Sequence, residues 1–403
     1  MSRFSGQASL RRRSMLHLLL SSGLGLAGCG GGSEEPQSTS DAWLQRIADA
    51  SVADGLAGVV LGEVTGASTT TAVAGTRRQG SRSPVQRTDR FAMGSNTKAL
   101  ACAAIAAMVE RSWLTWDITM AQAFPQWAGE MNPAYAAVSL KDLLHHRGAM
   151  LAFDGSGTEE DEFLAAVSAD TAALPSTLLD RRRNFSRWLL GQAPVVGVTP
   201  GRDFHYSNGG YALAASIAEA RTGRAFESLF DEVLVQPLGL QGHWRSSVPG
   251  TVDALWGHEG PAGALAVVEA TAELLAVKHW LDVLAPAGHW ACSGDDYARW
   301  LRWHTAALRG TDSPLPRVYV NDLRAADHGR YVWGWQSLTT ATRVLLTHTG
   351  HVQGFMAEVI MDTRGERALF GASNTGFMAE DSTSWVLSRI DAALADIVRI
   401  RAG

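Results

Sequence analysis

The chain has 403 residues, 46% of them apolar and 19% charged, and a formal net charge of −5. That length can bury a large core, and the balance is that of a globular protein rather than a disordered one. The absence of any basic block argues against a nucleic-acid partner, and beyond the N-terminus no apolar run of about 18 residues reads as a membrane span.

In chain order, the first feature is "LRRRSMLHLLLSSGLGLAGCGGGSEEP", with a basic region, a short apolar region and small residues before Cys29. That is the layout of a secretory signal over residues 1–28. "LAGC" resembles the bacterial lipobox, which implies cleavage before Cys29 and lipidation of its thiol, and "RRSML" resembles a twin-arginine export signal. Residues 29–40 have the Gly/Ser-rich composition of a flexible tether. The expectation is an exported protein, lipid-anchored to a bacterial membrane and facing the periplasm.

"DAWLQRIADA" places Leu44, Ile47 and Ala48 on one helical face, and "LAGVVLGEV" with "STTTAVAG" reads as a hairpin turning at Thr65–Ser68. "GSNTKAL" then puts Lys98, one of only three lysines, three residues after Ser95. On a helix these positions share a face. A serine needs an adjacent base to become a nucleophile, and a buried, neutral lysine can be that base. Serine is also a favoured helix cap, so the pair alone leaves both readings open. From about residue 95 to 285 the signals are mainly helical. Within this stretch Cys102 reads as a buried apolar residue, and its pairing with Cys292 is left open. His145 and His146 are adjacent, and His348 and His351 flank a glycine; neither spacing is that of a metal site.

"FHYSNGGYAL" carries Tyr206, Ser207 and Asn208 ahead of a helical run. A tyrosine whose phenolate is stabilised by a nearby lysine can relay a proton to a leaving group, and Asn208 can hold a substrate amide or ester. Strands return with "YVWGWQSL", where Trp333 and Trp335 are read as alternate residues of one strand facing the same side, packed in the core or at the surface, with lining an acyl pocket as the alternative. "LLTHTGHVQGF" carries His348, Thr349 and Gly350 on the next strand, and "GFMAEVIMD" and "RALFGASN" are joined at "TRGE". The closing segment has a helical stripe of Val386, Ile390, Leu394 and Ile397. Strand-rich ends around a helical middle predict one antiparallel sheet built from both ends, flanked by helices, with an inserted helical lobe. A cleft between the lobes is the expected site.

Ser-x-x-Lys, Tyr-x-Asn and His-Thr-Gly, in that order, resemble the serine β-lactamase and penicillin-binding-protein superfamily. The Tyr-x-Asn form is similar to the class C β-lactamase branch, which also holds family VIII carboxylesterases, D-aminopeptidases and DD-peptidases. The resemblance covers roughly residues 41–400 and implies an α/β (α+β) β-lactamase/transpeptidase-like fold. It implies Ser95 as nucleophile, Lys98 as base and Tyr206 as acid/base. Asn208, His348, Thr349 and Gly350 would bind substrate, and the backbone N–H groups of Ser95 and His351 would form the oxyanion hole. No cofactor or metal is implied. A second Tyr-x-Asn at Tyr319 follows Pro316 in a linker-like stretch and is assigned no role.

Two departures bear on substrate. His348 stands where class C β-lactamases have a lysine, and "LLHHRGAM" matches the family's "LLxHTSGL" only at His146, which is read as structural. The expected activity is therefore carboxylester hydrolysis through an acyl-enzyme on Ser95, with β-lactamase or D-amino-acid peptidase activity as the alternative. An alternative of another kind is a penicillin-binding sensor or cell-wall scaffold that acylates and stalls.

Overall fold

The computed structural model describes residues 41–402 apart from 170–174, 176, 245–254, 273–276, 278–279 and 378–383. The predicted signal, the tether and Cys29 lie outside these residues. Helix α1 (Asp41–Ala53) leads into the hairpin β1 (Gly58–Thr65) and β2 (Thr69–Gly75). The helical middle contains α2 (Thr97–Glu110), α3 (Leu178–Gly191) and α4 (Asn208–Thr222), followed by α5 (Gly294–Leu308) and α6 (Arg317–Arg324). The C-terminal part supplies β3 (Tyr331–Val332), β4 (Trp335–Thr339), β5 (Val344–Val352), β6 (Phe355–Asp362), β7 (Arg367–Ser373) and helix α7 (Trp385–Ala402).

These strands form one seven-stranded antiparallel sheet in the order β2-β1-β7-β6-β5-β4-β3. The two ends of the chain meet at β1 and β7, where Val59 faces Ser373 and Thr65 faces Arg367. Side chains alternate across the sheet. Val59 and Leu61 enter a core with Ile47, Leu369, Ile390 and Leu394 from α1, β7 and α7. Val60 and Val64 point the other way, into the main core with Trp300, Leu301 and Phe370. Because both faces are covered, β1 is a nearly continuous apolar run rather than a strict alternation. The predicted hairpin, sheet and helical stripe are all present.

Helix α2 is buried from Thr97 to Met108, so no polar face exists to give it amphipathic periodicity. Its alanines allow neighbouring elements to approach closely. Short strands at His243–Trp244, His258–Glu259 and Ala266–Val267 interrupt the helical stretch.

Three details differ from the sequence expectation. "YVWGWQSL" is a hairpin, with Trp333 at a left-handed φ of 47° in the turn between β3 and β4. Trp333 and Trp335 are both fully buried, each donating its indole N–H, to Asp322 and Tyr319 respectively. The stretch around Tyr319 is helix α6 rather than a linker, and the Tyr319 hydroxyl lies 2.8 Å from His304 Nε2. This second Tyr-x-Asn is thus part of the core. Cys102 and Cys292 are buried, free thiols, so the pairing left open by the sequence does not form.

Candidate active site

Ser95 sits in a short turn, Gly94–Asn96, that leads directly into α2, so it lies just before the α-helix rather than at its first residue. The turn is fixed from behind: Phe91–Ala92 pair with Trp290–Cys292, and the Met93 N–H donates to the Trp290 carbonyl at 2.9 Å. In front, the end of β5 lies backbone against backbone. A Cβ on Gly350 would stand 2.0 Å from the Met93 carbonyl oxygen and 3.0 Å from the Ser95 nitrogen. A Cβ on Gly94, whose φ is +52°, would stand 2.6 Å from the His351 nitrogen. Only glycine permits this approach, and it lays the Gly350–His351 backbone against that of Met93–Ser95. The His351 side chain itself is exposed.

Lys98 is fully buried, one turn along from Ser95. Its Nζ lies 3.0 Å from Ser95 Oγ, 2.6 Å from Asn208 Oδ1 and 2.8 Å from the Ala287 carbonyl oxygen. Burial holds the amine well below its ordinary pKa. A protonated amine donates to all three oxygens. A neutral amine keeps two N–H bonds for the acceptors at Asn208 and Ala287, which leaves its lone pair facing the Ser95 hydroxyl. That is the geometry of a general base.

Tyr206 completes the cluster by donating its hydroxyl to Ser95 Oγ at 2.7 Å. Lys98 Nζ lies 4.7 Å from the centroid of its ring. Burial raises the phenol pKa, which favours a neutral phenol at rest. A phenol in this place is an acid before it is a base. Asn208 opens α4 and is anchored by donating from Nδ2 to the Phe153 carbonyl at 2.7 Å. Its amide oxygen is thereby turned to Lys98.

His348 is buried on β5, and its ring nitrogens are both engaged. Nδ1 lies 2.6 Å from the Thr349 carbonyl oxygen and Nε2 lies 3.0 Å from the Tyr331 hydroxyl. A carbonyl only accepts, so Nδ1 carries a proton, and Nε2 shares a hydrogen bond with the Tyr331 hydroxyl. Thr349 is half-buried beside it. The structure therefore brings together Ser95, Lys98, Tyr206 and Asn208 side chains with the backbone of Gly350 and His351. Sequence reasoning missed the Ala287 and Phe153 carbonyls, which have no side-chain signature. It also passed over Tyr331, although that residue lies in a stretch already read as strand.

Against known proteins, the Beta-lactamase family profile matches residues 44–393. An unguisins hydrolase of Aspergillus violaceofuscus is 25% identical over 312 residues, 70% of this chain and 52% of the relative. The chain thus spans about half the length of that curated relative. Among solved structures, a D-amino acid amidase from Ochrobactrum anthropi complexed with D-phenylalanine is similar with a TM-score of 0.65 and 19% identity, over 88% of this chain and 98% of the other. A class C β-lactamase from Rhodobacter sphaeroides is similar with a TM-score of 0.63 and 17% identity, over 89% and 99%. At such identities these structures establish the fold that is shared. With the profile match spanning nearly the whole described chain, this protein belongs to the Beta-lactamase family.

Proposed function

We propose that this protein is a serine hydrolase that cleaves carboxylic esters through an acyl-enzyme on Ser95. The observation that carries the reading is the convergence of Lys98 Nζ and the Tyr206 hydroxyl on one oxygen, at 3.0 and 2.7 Å. Ser95 Oγ attacks the substrate carbonyl carbon as its proton passes to neutral Lys98. The negative charge that develops on the carbonyl oxygen is held by the N–H groups of Ser95 and His351. Such donors are typically worth about 2.7–4 kcal/mol each. Tyr206 gives its proton to the departing alkoxide and is restored by the proton held on Lys98. Water then attacks the acyl carbon as its proton passes to Lys98, and the C–Oγ bond breaks with that proton returned to Ser95 Oγ, releasing the acid. Labelling with a fluorophosphonate and mapping the adduct to Ser95 tests the nucleophile. A panel of short acyl esters, a chromogenic cephalosporin and D-alanyl peptides tests the substrate. A penicillin-derived acyl adduct on Ser95 that forms and never decays, with no ester turned over, would instead favour the penicillin-binding sensor.

The preference for esters over β-lactams rests on His348. Its two nitrogens are engaged by Thr349 and Tyr331, where a lysine would offer a compact cation to a substrate carboxylate. Phe204, 56% exposed, packs against the rings of His146 and Tyr331, which in turn pack against Tyr206, and offers an apolar surface that suits an uncharged group. A charge-assisted hydrogen bond is worth about 1.5–3 kcal/mol. His348→Lys should therefore raise the ratio of cephalosporin to ester turnover roughly ten- to a hundredfold, read as kcat/KM on both substrates. Wild type that already hydrolyses the cephalosporin better than any short-chain ester would overturn the esterase reading.

The N-terminal pattern supports an exported, lipid-anchored protein acting in the cell envelope. Full-length protein should partition with membranes and begin at a modified Cys29, and Cys29→Ala should leave it unlipidated. Soluble wild type with a free N-terminus elsewhere would refute the anchor.

A further inference from the structure

We propose that His146 is a positioning residue that holds Tyr206 in place for protonation of the leaving group. The inference rests on the serine hydrolase reading and adds to it a residue that takes no part in the chemistry of the proposed reaction. His146 lies in the loop after Leu144 and is only 1% exposed. Its carbonyl oxygen accepts the His205 N–H at 2.7 Å, and its Nδ1 accepts the Ser207 N–H at 3.0 Å. The residues on either side of Tyr206 are thus both tied to one histidine. Its ring also packs against the Tyr206 ring, with centroids 4.3 Å apart and planes 35° from parallel. Tyr206 is consequently clamped through its backbone and its aromatic face, while its hydroxyl reaches Ser95 at 2.7 Å.

A histidine that merely filled the core would not need two further features. The backbone adopts a left-handed φ of 56°, unfavourable for a residue with a side chain. Because Nδ1 accepts from Ser207, the imidazole proton resides on Nε2, and that atom is buried with no hydrogen-bond partner. A buried donor left unpaired is destabilising. An apolar side chain of similar size would fill the space without that orphan. What it would lack is an acceptor for the Ser207 N–H, and that is the group the imidazole supplies. Burial holds His146 well below its ordinary pKa, and a neutral ring keeps Nδ1 available as an acceptor.

The test separates the positioning of an acid from general loss of structure. Two esters with one acyl group are compared: a p-nitrophenyl ester, whose leaving group departs unprotonated, and an ethyl ester, whose alkoxide must be protonated. His146→Leu should lower kcat/KM on the ethyl ester about 10- to 100-fold, a part of what a general acid contributes. The p-nitrophenyl ester should change by less than about threefold, because no acid is needed there. His146→Asn places an amide oxygen near the position of Nδ1 and tolerates a left-handed φ, so it should restore the ethyl ester to within about threefold of wild type. Should the leucine variant fail to fold, His146→Gln takes its place, since its longer side chain carries the acceptor beyond Nδ1. Equal losses on both esters, or the same ester ratio in the asparagine variant as in the leucine or glutamine variant, would overturn the proposal. Absence of fluorophosphonate labelling at Ser95 in wild type would instead overturn the hydrolase reading.

Discussion

Ser95→Ala is expected to abolish covalent labelling by a fluorophosphonate and to lower ester turnover by roughly 10⁴- to 10⁶-fold, the range seen when an activated serine is removed. The size follows from the chemistry, since the acyl-enzyme cannot form without its oxygen. No neighbouring group in the described site replaces it. Cys102 lies one further turn along the same helix, but its thiol is buried and burial pushes its pKa up to about 12, so at neutral pH it is not a thiolate. Tyr206 is a buried phenol with a raised pKa. The fold should survive, because Ser95 is half-exposed and its loss removes only hydroxyl contacts with Lys98 and Tyr206. Adduct mass mapping in both proteins is the decisive measurement. Labelling that persists at another serine would sink the assignment.

Lys98→Met should reduce kcat/KM by about 10²- to 10⁴-fold, the typical contribution of a positioned base. It should also remove a feature of the pH profile. Burial depresses the Lys98 pKa, so the amine loses its proton on a limb well below the ordinary lysine range. As pH falls through that value the amine gains a third N–H, the lone pair facing Ser95 disappears, and activity is lost. Activity therefore rises with pH along this limb in wild type, and the limb should be absent from the residual activity of Lys98→Met. Lys98→Arg separates charge from basicity. Arginine stays protonated at every working pH, so it should be as inactive as the methionine variant. A limb unchanged in Lys98→Met, or an active Lys98→Arg, would show that Lys98 is not the base.

The two positions at the centre of these predictions were legible because they are close in sequence. Ser95 and Lys98 lie three residues apart, and a single turn of helix suffices to bring their side chains within 3.0 Å. The sheet was legible for a related reason. β1 and β2 are joined by the short turn at Thr65–Ser68, and β6 and β7 by Thr363–Glu366, so local turn chemistry already specified those pairings. The hairpin at Trp333 was not. A tryptophan at a left-handed φ runs against local preference and is held there by core contacts, including those with Trp116 and His145. Helix α6 was missed because a short helix after Pro316 has too few turns for its periodicity to stand out.

By itself the sequence determined the sheet from both ends, the helical middle, and the order of the Ser-x-x-Lys, Tyr-x-Asn and His-Thr-Gly motifs. Those are properties of spacing and residue type along the chain. Only the tertiary structure decided the protonation chemistry. Burial depresses the Lys98 pKa, and Asn208 and Ala287, 110 and 189 residues away, occupy two of its hydrogen-bonding directions. Burial raises the Tyr206 pKa and favours the phenol, and Tyr331 comes from another strand to meet His348 at 3.0 Å. Proton affinity depends on desolvation and on groups within a few ångströms in space. A linear pattern names the titratable residues but does not carry their surroundings, and backbone carbonyls such as that of Ala287 leave no mark in it at all.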